Sequence, residues 1–409
     1  MYDVEFTEET KKHTKFIRVL RILMISTCTW PYRWTDNMIL HKLQSIFRIV
    51  PIFAFYFFCT ALPVGVVKNA IDQEQFDENT FMHSGIILDI MKIFTRSIII
   101  LKNKLFDFYK HIMLYEQNLL KSGESDVIEC YMECARSLQI KLIILFLTTG
   151  ECCFGYVTVE IVGNVNANRI HVANNESIEF PLLYPFYIPY YGYTEERIGI
   201  FYFINLIVVL FVVLGVQVTF GFTITSMTYA STRLRIFQIR LKNIKNIADT
   251  SYNGDVYLTL KIYIKEHQEL ISFIKNINEK IKTITLGEFL LSSMNCALAV
   301  VNTTRANGLT VDAVYSLGYT VLLIEQIFCY AAAANEIKLQ STAVIDACYA
   351  CEWYTFDEKT KQLLLILMMR AYIPMEINIG PFSSMTNETA LMMMKACYSY
   401  AAFIKDSME

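Results

Sequence analysis

The chain has 409 residues, 54% of them apolar, 14% aromatic and 18% charged, with a formal net charge of -3. That composition lies outside the range of ordinary soluble domains, and without a basic excess it excludes an electrostatic nucleic-acid binder. The apolar residues fall in blocks, so the class is an all-α polytopic membrane protein with seven transmembrane helices.

Residues 1–45 are polar to amphipathic and carry Lys11, Lys12, Lys15, Arg18, Arg21, Arg33 and Lys42. Charges recur through Arg21 and the apolar run after it is short, which argues against a cleavable signal. Four spans are expected within 46–226, at 49–67, 81–101, 138–162 and 198–225. The second is interrupted by Asp89, Lys92 and Arg96, at i, i+3 and i+7 and therefore on one helix face. The plain reading is an ion-pair stripe facing protein or cytosolic water; the sharper one is an ion path. The third contains Glu151, expected to be buried near mid-membrane, as is Glu325 in the sixth. An outer loop, 163–197, holds three prolines among seven tyrosine and phenylalanine residues.

Residues 227–282 are basic. Tyr257, Leu260, Ile264, His267, Ile271, Ile274, Asn278 and Ile281 alternate spacings of three and four, as in an amphipathic helix packed on a neighbour. Spans five and six, 284–301 and 314–334, lie within 283–337. A second polar segment, 338–383, contains an amphipathic helix at 357–369 that Pro374 ends. The last span opens at Thr386, an oxygen side chain followed by Glu388 in the first turn, within 384–409. Its ladder Thr389, Met393, Ala396, Tyr400, Phe403 mixes polar with apolar residues at helical spacing, as expected of helices packed around a shared axis.

Seven spans place the termini on opposite sides. Lysine and arginine number 27 in the segments on the N-terminal side and five in those on the other, so the N-terminus is expected in the cytoplasm and the C-terminus outside. The sequons at Asn175 and Asn302 fall in segments expected outside. Asn387 also heads a sequon, read as a chance match at the inner start of the last helix. The orientation is the reverse of a G-protein-coupled receptor's, and no Asp-Arg-Tyr closes span three. The 11 cysteines show no metal spacing with histidine, and Cys348-x-x-Cys351 sits in no βαβ context, so buried thiols are the plain reading. No metal site, cofactor or catalytic constellation is expected.

Phe328-Cys329-Tyr330, Ser341, Tyr349, Trp353, Pro374, Gly380, Glu388-Thr389, Lys395 and Tyr398-Ser399-Tyr400 occur in that order. With Trp30-Pro31 and His267 upstream, the chain resembles the insect odorant receptor family over essentially its whole length. Ala331 and Ala390 depart from the residues frequent there, so close packing at those points differs in detail. The resemblance implies an odorant-gated, non-selective cation channel in the plasma membrane of an olfactory neuron dendrite. In it, subunits of this type join a shared co-receptor as a tetramer embedded in membrane lipid. The last helix lines the pore, and the two cytoplasmic segments form the anchor where subunits meet.

The resemblance also places a small volatile odorant in the outer half of spans two, three, four and six, where the site should be an enclosed apolar cavity. The candidates are His83, Ile87, Phe154, Tyr156, Phe201, Tyr202, Asn205, Tyr315, Tyr319 and Leu322. Tyr315 and Tyr319 share a face, and their rings and hydroxyls suit an alkyl chain and an ester or ketone oxygen. Tyr400, Phe403 and Asp406 are the pore candidates, with Phe403 as an apolar constriction and Asp406 at the outer mouth. The alternative role is a gustatory-receptor-like homotetramer. Such receptors carry a Gln-Phe pair where this chain has Lys405-Asp406, which favours the odorant branch. A transporter should show internal repeats, and none is found.

Overall fold

The computed structural model describes residues 14–26, 88–89, 91–92, 95–96, 107–173, 198–305 and 311–406. Ten helices carry the described chain: α1 (Arg18–Ser26), α2 (Asp107–Ser122), α3 (Ser125–Ala173), α4 (Ile198–Lys242), α5 (Ile244–Ser251), α6 (Val256–Arg305), α7 (Val311–Thr342), α8 (Val344–Ala350), α9 (Glu358–Ala371) and α10 (Asn387–Asp406). A two-stranded antiparallel hairpin, β1 (Asn378–Ile379) and β2 (Ser383–Ser384), precedes α10, with Asn378 opposite Ser384. Helices α3, α4 and α6 are 49, 45 and 50 residues long. At 1.5 Å per residue each reaches roughly 70 Å, more than twice a bilayer's hydrocarbon thickness. About half of each therefore stands in water or against protein.

These lengths correct several boundaries expected from hydropathy. The basic helix of 256–282 and span five are one uninterrupted helix, α6, because no Gly, Pro or turn residue separates the amphipathic half from the apolar half. Span four likewise continues to Lys242, and span six to Thr342. Helix α3 runs on to Ala173, so the outer loop begins about ten residues later than expected, and Asn302 lies in the last turns of α6 rather than in a loop. Among the described residues, three helices contain stretches long and apolar enough to cross a membrane, in α3, α6 and α7.

Turn chemistry sets the breaks that do occur. Between α5 and α6, Asn253 and Gly254 adopt φ of 52° and 78°. The Gly254 N–H closes back on the Ala248 carbonyl at 2.9 Å, a left-handed helix stop that glycine makes without strain. Asp255 then opens α6, its carboxylate accepting the Leu258 N–H at 2.9 Å. At the other end of the chain, Thr386 begins α10 as expected. Its hydroxyl accepts the Thr389 N–H at 3.3 Å, and the Thr389 hydroxyl accepts the Thr386 N–H at 2.8 Å. This is a reciprocal cap with threonine in the place usually taken by Glu or Gln.

The segment between α9 and α10 is strapped onto α6 and α7. Asn278 accepts the Asn378 N–H at 2.8 Å, Thr285 donates to the Asn378 carbonyl at 2.8 Å, and Ser341 accepts the Met375 N–H at 2.9 Å. Gly380, at φ 55°, presses so close to α6 that a Cβ there would lie 2.9 Å from the Leu286 side chain. That explains a glycine at this point of the hairpin.

At one end of the bundle, α1, α2, α3 and α4 enclose an aromatic cluster. Tyr229 takes Phe16, Phe108 and Tyr115 edge-on at ring distances of 5.6, 5.5 and 5.9 Å, and the Arg233 guanidinium stands 4.0 Å over Tyr115. The buried carboxyl of Glu116 accepts the backbone N–H groups of Lys15 and Phe16 at 3.0 and 3.1 Å and the Tyr131 hydroxyl at 3.0 Å. Glu116 thus ties the turn leading into α1 to the bundle 100 residues away in sequence.

His267 is buried on α6, its ring stacked on Phe237 at 5.4 Å. Burial, with the Arg370 charge second, pushes its pKa from 6.5 down to about 4. The unfolded chain therefore takes up a proton near pH 6.5 that the native chain refuses until about pH 4. Stability should be greatest above pH 6.5 and fall by up to about 3 kcal/mol as pH drops to 4. Thermal melts of wild type and His267→Leu at pH 7 and 4.5 check this: the variant should lose less on acidification.

Candidate functional site

Helices α3 and α7 leave between them a groove of about 600 Å³, lined by Glu151, Phe154, Gly155, Tyr315, Leu322 and Glu325 among others. Two glycines shape it. A Cβ at Gly318 would meet nothing, while one at Gly155 would lie 3.5 Å from the Tyr315 ring. Tyr156, Tyr315 and Tyr319 form a continuous aromatic row, of which Tyr315 lines the groove. Tyr156 and Tyr315 lie 5.8 Å apart, and Tyr315 stacks on Tyr319 at 6.0 Å with an interplanar angle of 14°. The structure therefore sets three of the expected odorant-contact residues, Phe154, Tyr315 and Leu322, on the groove, with Phe154 exposed, and packs Tyr156 and Tyr319 against Tyr315.

His83 and Ile87 lie outside the described residues. Phe201, Tyr202 and Asn205 lie on the α4 backbone, their side chains outside what is described. One expectation is overturned: Glu151 is exposed, not buried, and Glu325 is half-buried. Both border the groove, where the open space left by Gly318 keeps the carboxylates from being enclosed.

Behind the tyrosine row lies the feature that hydropathy did not reveal in full. The stripe of Asp89, Lys92 and Arg96 faces protein, with Lys92 and Arg96 only 4% and 3% exposed. Its partners come from one face of α6: Glu288, Ser292 and Asn295. Arg96 pairs with Glu288. Lys92 lies 2.5 Å from the Asp89 carboxylate and donates to the Ser292 hydroxyl at 3.3 Å, and Ser292 donates to Glu288 at 3.1 Å. Asn295 donates to Asp89 at 2.9 Å and to the Tyr319 oxygen at 2.7 Å, while Tyr319 donates to Asp89. The Arg96 guanidinium also sits 5.7 and 5.9 Å from the Phe220 and Tyr330 ring centres. Two cations and two carboxylates in one low-dielectric cluster offset each other's desolvation.

The Tyr319 hydroxyl is accordingly occupied within the network, and it is Tyr315, stacked on the Tyr319 ring, that faces the groove. Glu288 and Asn295 were absent from the sequence-based candidates. The signal was available: polar residues seven apart inside an apolar span, matching the spacing of the stripe on span two.

Helix α10 packs on α6 and α7 through Ala390, Met393, Cys397 and Ala401. Cys397 reaches the Ser293 carbonyl at 3.5 Å. Of the expected axial ladder, Met393 turns toward α6 instead, while Tyr400 and Phe403 are exposed on the far side, at 54% and 73%. Asp406 closes the helix, its side chain outside the described residues. All nine described cysteines are free thiols.

A bundle of helices long enough to cross a membrane and continue beyond it, with a groove between two of them and a buried ion network, defines a polytopic helical membrane protein. The family model described as 7tm Odorant receptor matches residues 73–398, and the chain belongs to that family. It is 26% identical over 216 residues to Odorant receptor 10 of Aedes albopictus, covering 52% of this chain and 57% of that protein. It is 29% identical over 161 residues to Odorant receptor Or2 of Anopheles gambiae, covering 39% and 42%. Over 141 residues it is 22% identical to the Odorant receptor coreceptor of Harpegnathos saltator, covering 34% of this chain and 29% of that one. The matches to these curated relatives thus span about half of their length or less.

The fold is that of the insect olfactory receptor OR5 from Machilis hrabei, with a TM-score of 0.73 at 12% identity, covering 97% of this chain and 99% of that one. The same receptor solved in complex with eugenol gives 0.71 at 11% identity, covering 98% and 100%.

Proposed function

We propose that this chain is the odorant-binding subunit of a ligand-gated, non-selective cation channel, working as a tetramer with an olfactory co-receptor. Its N-terminus lies in the cytoplasm of the olfactory neuron dendrite and its ligand is a small, volatile, mainly apolar odorant. One observation carries the reading. Tyr315 lines the α3–α7 groove within the row Tyr156, Tyr315, Tyr319, and through the Tyr319 hydroxyl that row joins the ion network on α6, the helix against which α10 packs. A ligand pressing on this row acts on a helix in direct contact with the proposed pore helix. The exposed Tyr400 and Phe403 face of α10 supplies the apolar constriction once subunits surround a common axis.

The likeness to a receptor solved with eugenol and to co-receptor sequences supports an apolar ligand and co-receptor pairing. Tyr315 is the discriminating position, because its ring is sandwiched between two others while its removal leaves the ion network intact. Tyr315→Ala should shift the odorant dose–response by more than 100-fold, since losing an aromatic packed against ligand costs on the order of 3 kcal/mol. Tyr315→Phe should shift it less than about tenfold, the worth of one neutral hydrogen bond. Currents are compared at matched surface expression. An Ala variant that reaches the membrane and keeps the parent's dose–response would move the ligand site elsewhere.

A further inference from the structure

Helix α1 carries a second cleft, of about 400 Å³, lined by Thr14, Lys15, Arg18, Arg21, Ile22 and Ile25. Its height in the bundle can be read from the packing. Phe16 lies against Tyr131 and Tyr229, 5.2 and 5.6 Å between ring centres, beyond the end of the apolar spans that the orientation proposed above makes cytoplasmic. One turn later Leu20 reaches Gly221 and Leu142, which lie inside the apolar spans of α4 and α3; a Cβ on Gly221 would be 3.1 Å from Leu20 and 3.3 Å from Leu142. Helix α1 therefore climbs from the watery side into the hydrocarbon layer.

The exposed side chains of α1 follow the same gradient. Lys15 and Arg18 are exposed at its lower end and Ile22 at its upper end. On α3 the exposed apolar run Ile140, Ile143, Ile144, Leu147 begins at that same height, marking where acyl chains start. Neither Lys15 nor Arg18 forms a side-chain ion pair among the described residues, while Arg21 donates to Thr14 at 3.0 Å and fixes the cleft floor. Cations at the headgroup level with an apolar rail rising from them match one chemistry: an anion covalently joined to a hydrocarbon chain.

We propose that the α1 cleft binds the headgroup of an anionic phospholipid from the cytoplasmic leaflet, with Lys15 and Arg18 on the phosphate and Ile22 and Ile25 along the acyl chain. The site is separate from the odorant groove and does not depend on channel activity.

Native mass spectrometry of the full-length chain, released from nanodiscs of phosphatidylcholine with a minority of phosphatidylserine, tests it. One phosphatidylserine should be retained per chain in preference to phosphatidylcholine. Lys15→Gln with Arg18→Gln should weaken that retention about 30-fold, the expected sum for two cations at the membrane surface, while Lys15→Arg with Arg18→Lys should keep it. Equal retention of the two lipids, unchanged retention in the double glutamine variant, or displacement by millimolar inorganic phosphate would overturn the proposal. Should the glutamine variant fail to fold, a photoactivatable phosphatidylserine on wild type decides: crosslinks must fall on residues 14–26, and crosslinks confined to other helices would refute the site.

Discussion

Arg96→Met should leave little folded receptor at the cell surface. The substitution removes the cation that faces Glu288, a residue only 1% exposed, and breaking one side of a buried ion pair costs about 3–5 kcal/mol. Against a total stability of roughly 5–15 kcal/mol, that is enough to divert most of the chain to degradation. Replacing both partners removes the orphaned charge, so Arg96→Met with Glu288→Leu should recover most of the surface expression. Recovery is expected to be incomplete, because Ser292 then loses its acceptor and the guanidinium no longer caps Phe220 and Tyr330. Surface biotinylation of the single and double variants reads the effect. A double variant as poor as the single one would show that the pair is not an isolated energetic unit.

Glu116→Ala should release the N-terminal segment while the rest of the bundle stays folded. Its carboxyl is the acceptor for two backbone N–H groups and a tyrosine hydroxyl, the Phe16 and Tyr131 bonds buried and the Lys15 bond part-buried. Losing it strands two buried donors and a part-buried one, for a cost of about 3 kcal/mol or more. Among the described residues this acceptor, Gln139 on the Lys15 carbonyl at 2.5 Å and an apolar face hold the α1 segment, so the loss should appear as local opening. Limited trypsin digestion in native membranes should cut the variant after Lys15 or Arg18 under conditions where wild type is protected. Equal protection would mean that the packing of Phe16, Leu20 and Met24 holds α1 without the carboxyl.

What the sequence disclosed divides by physical cause. The start of α10 was legible because a cap is a local device: Thr386 and Thr389 are three residues apart and need no distant partner. The facing of Asp89, Lys92 and Arg96 was half legible. Their spacing fixes a shared helix face, but only tertiary contact shows that α6 supplies Glu288, Ser292 and Asn295 to meet it. Tyr315 and Tyr319 could be placed on one wall from their four-residue spacing. That the Tyr319 hydroxyl is spent on Asp89, 230 residues away, depends on how two spans pack. Glu151 was misjudged for the same reason, since depth in a span says nothing of which side opens onto a groove. Helix lengths were misjudged because hydropathy marks where the bilayer ends, whereas α3, α4 and α6 continue past it on amphipathic turns that pack on each other.

The most direct test of the account is whole-cell current in cells expressing this chain with an insect olfactory co-receptor, under a panel of small volatile ligands and with G-protein signalling blocked. A ligand-evoked, non-selective cation current should survive the block and be nearly absent when the chain is expressed alone. A response abolished by the block, or full-size currents from the chain alone, would contradict it.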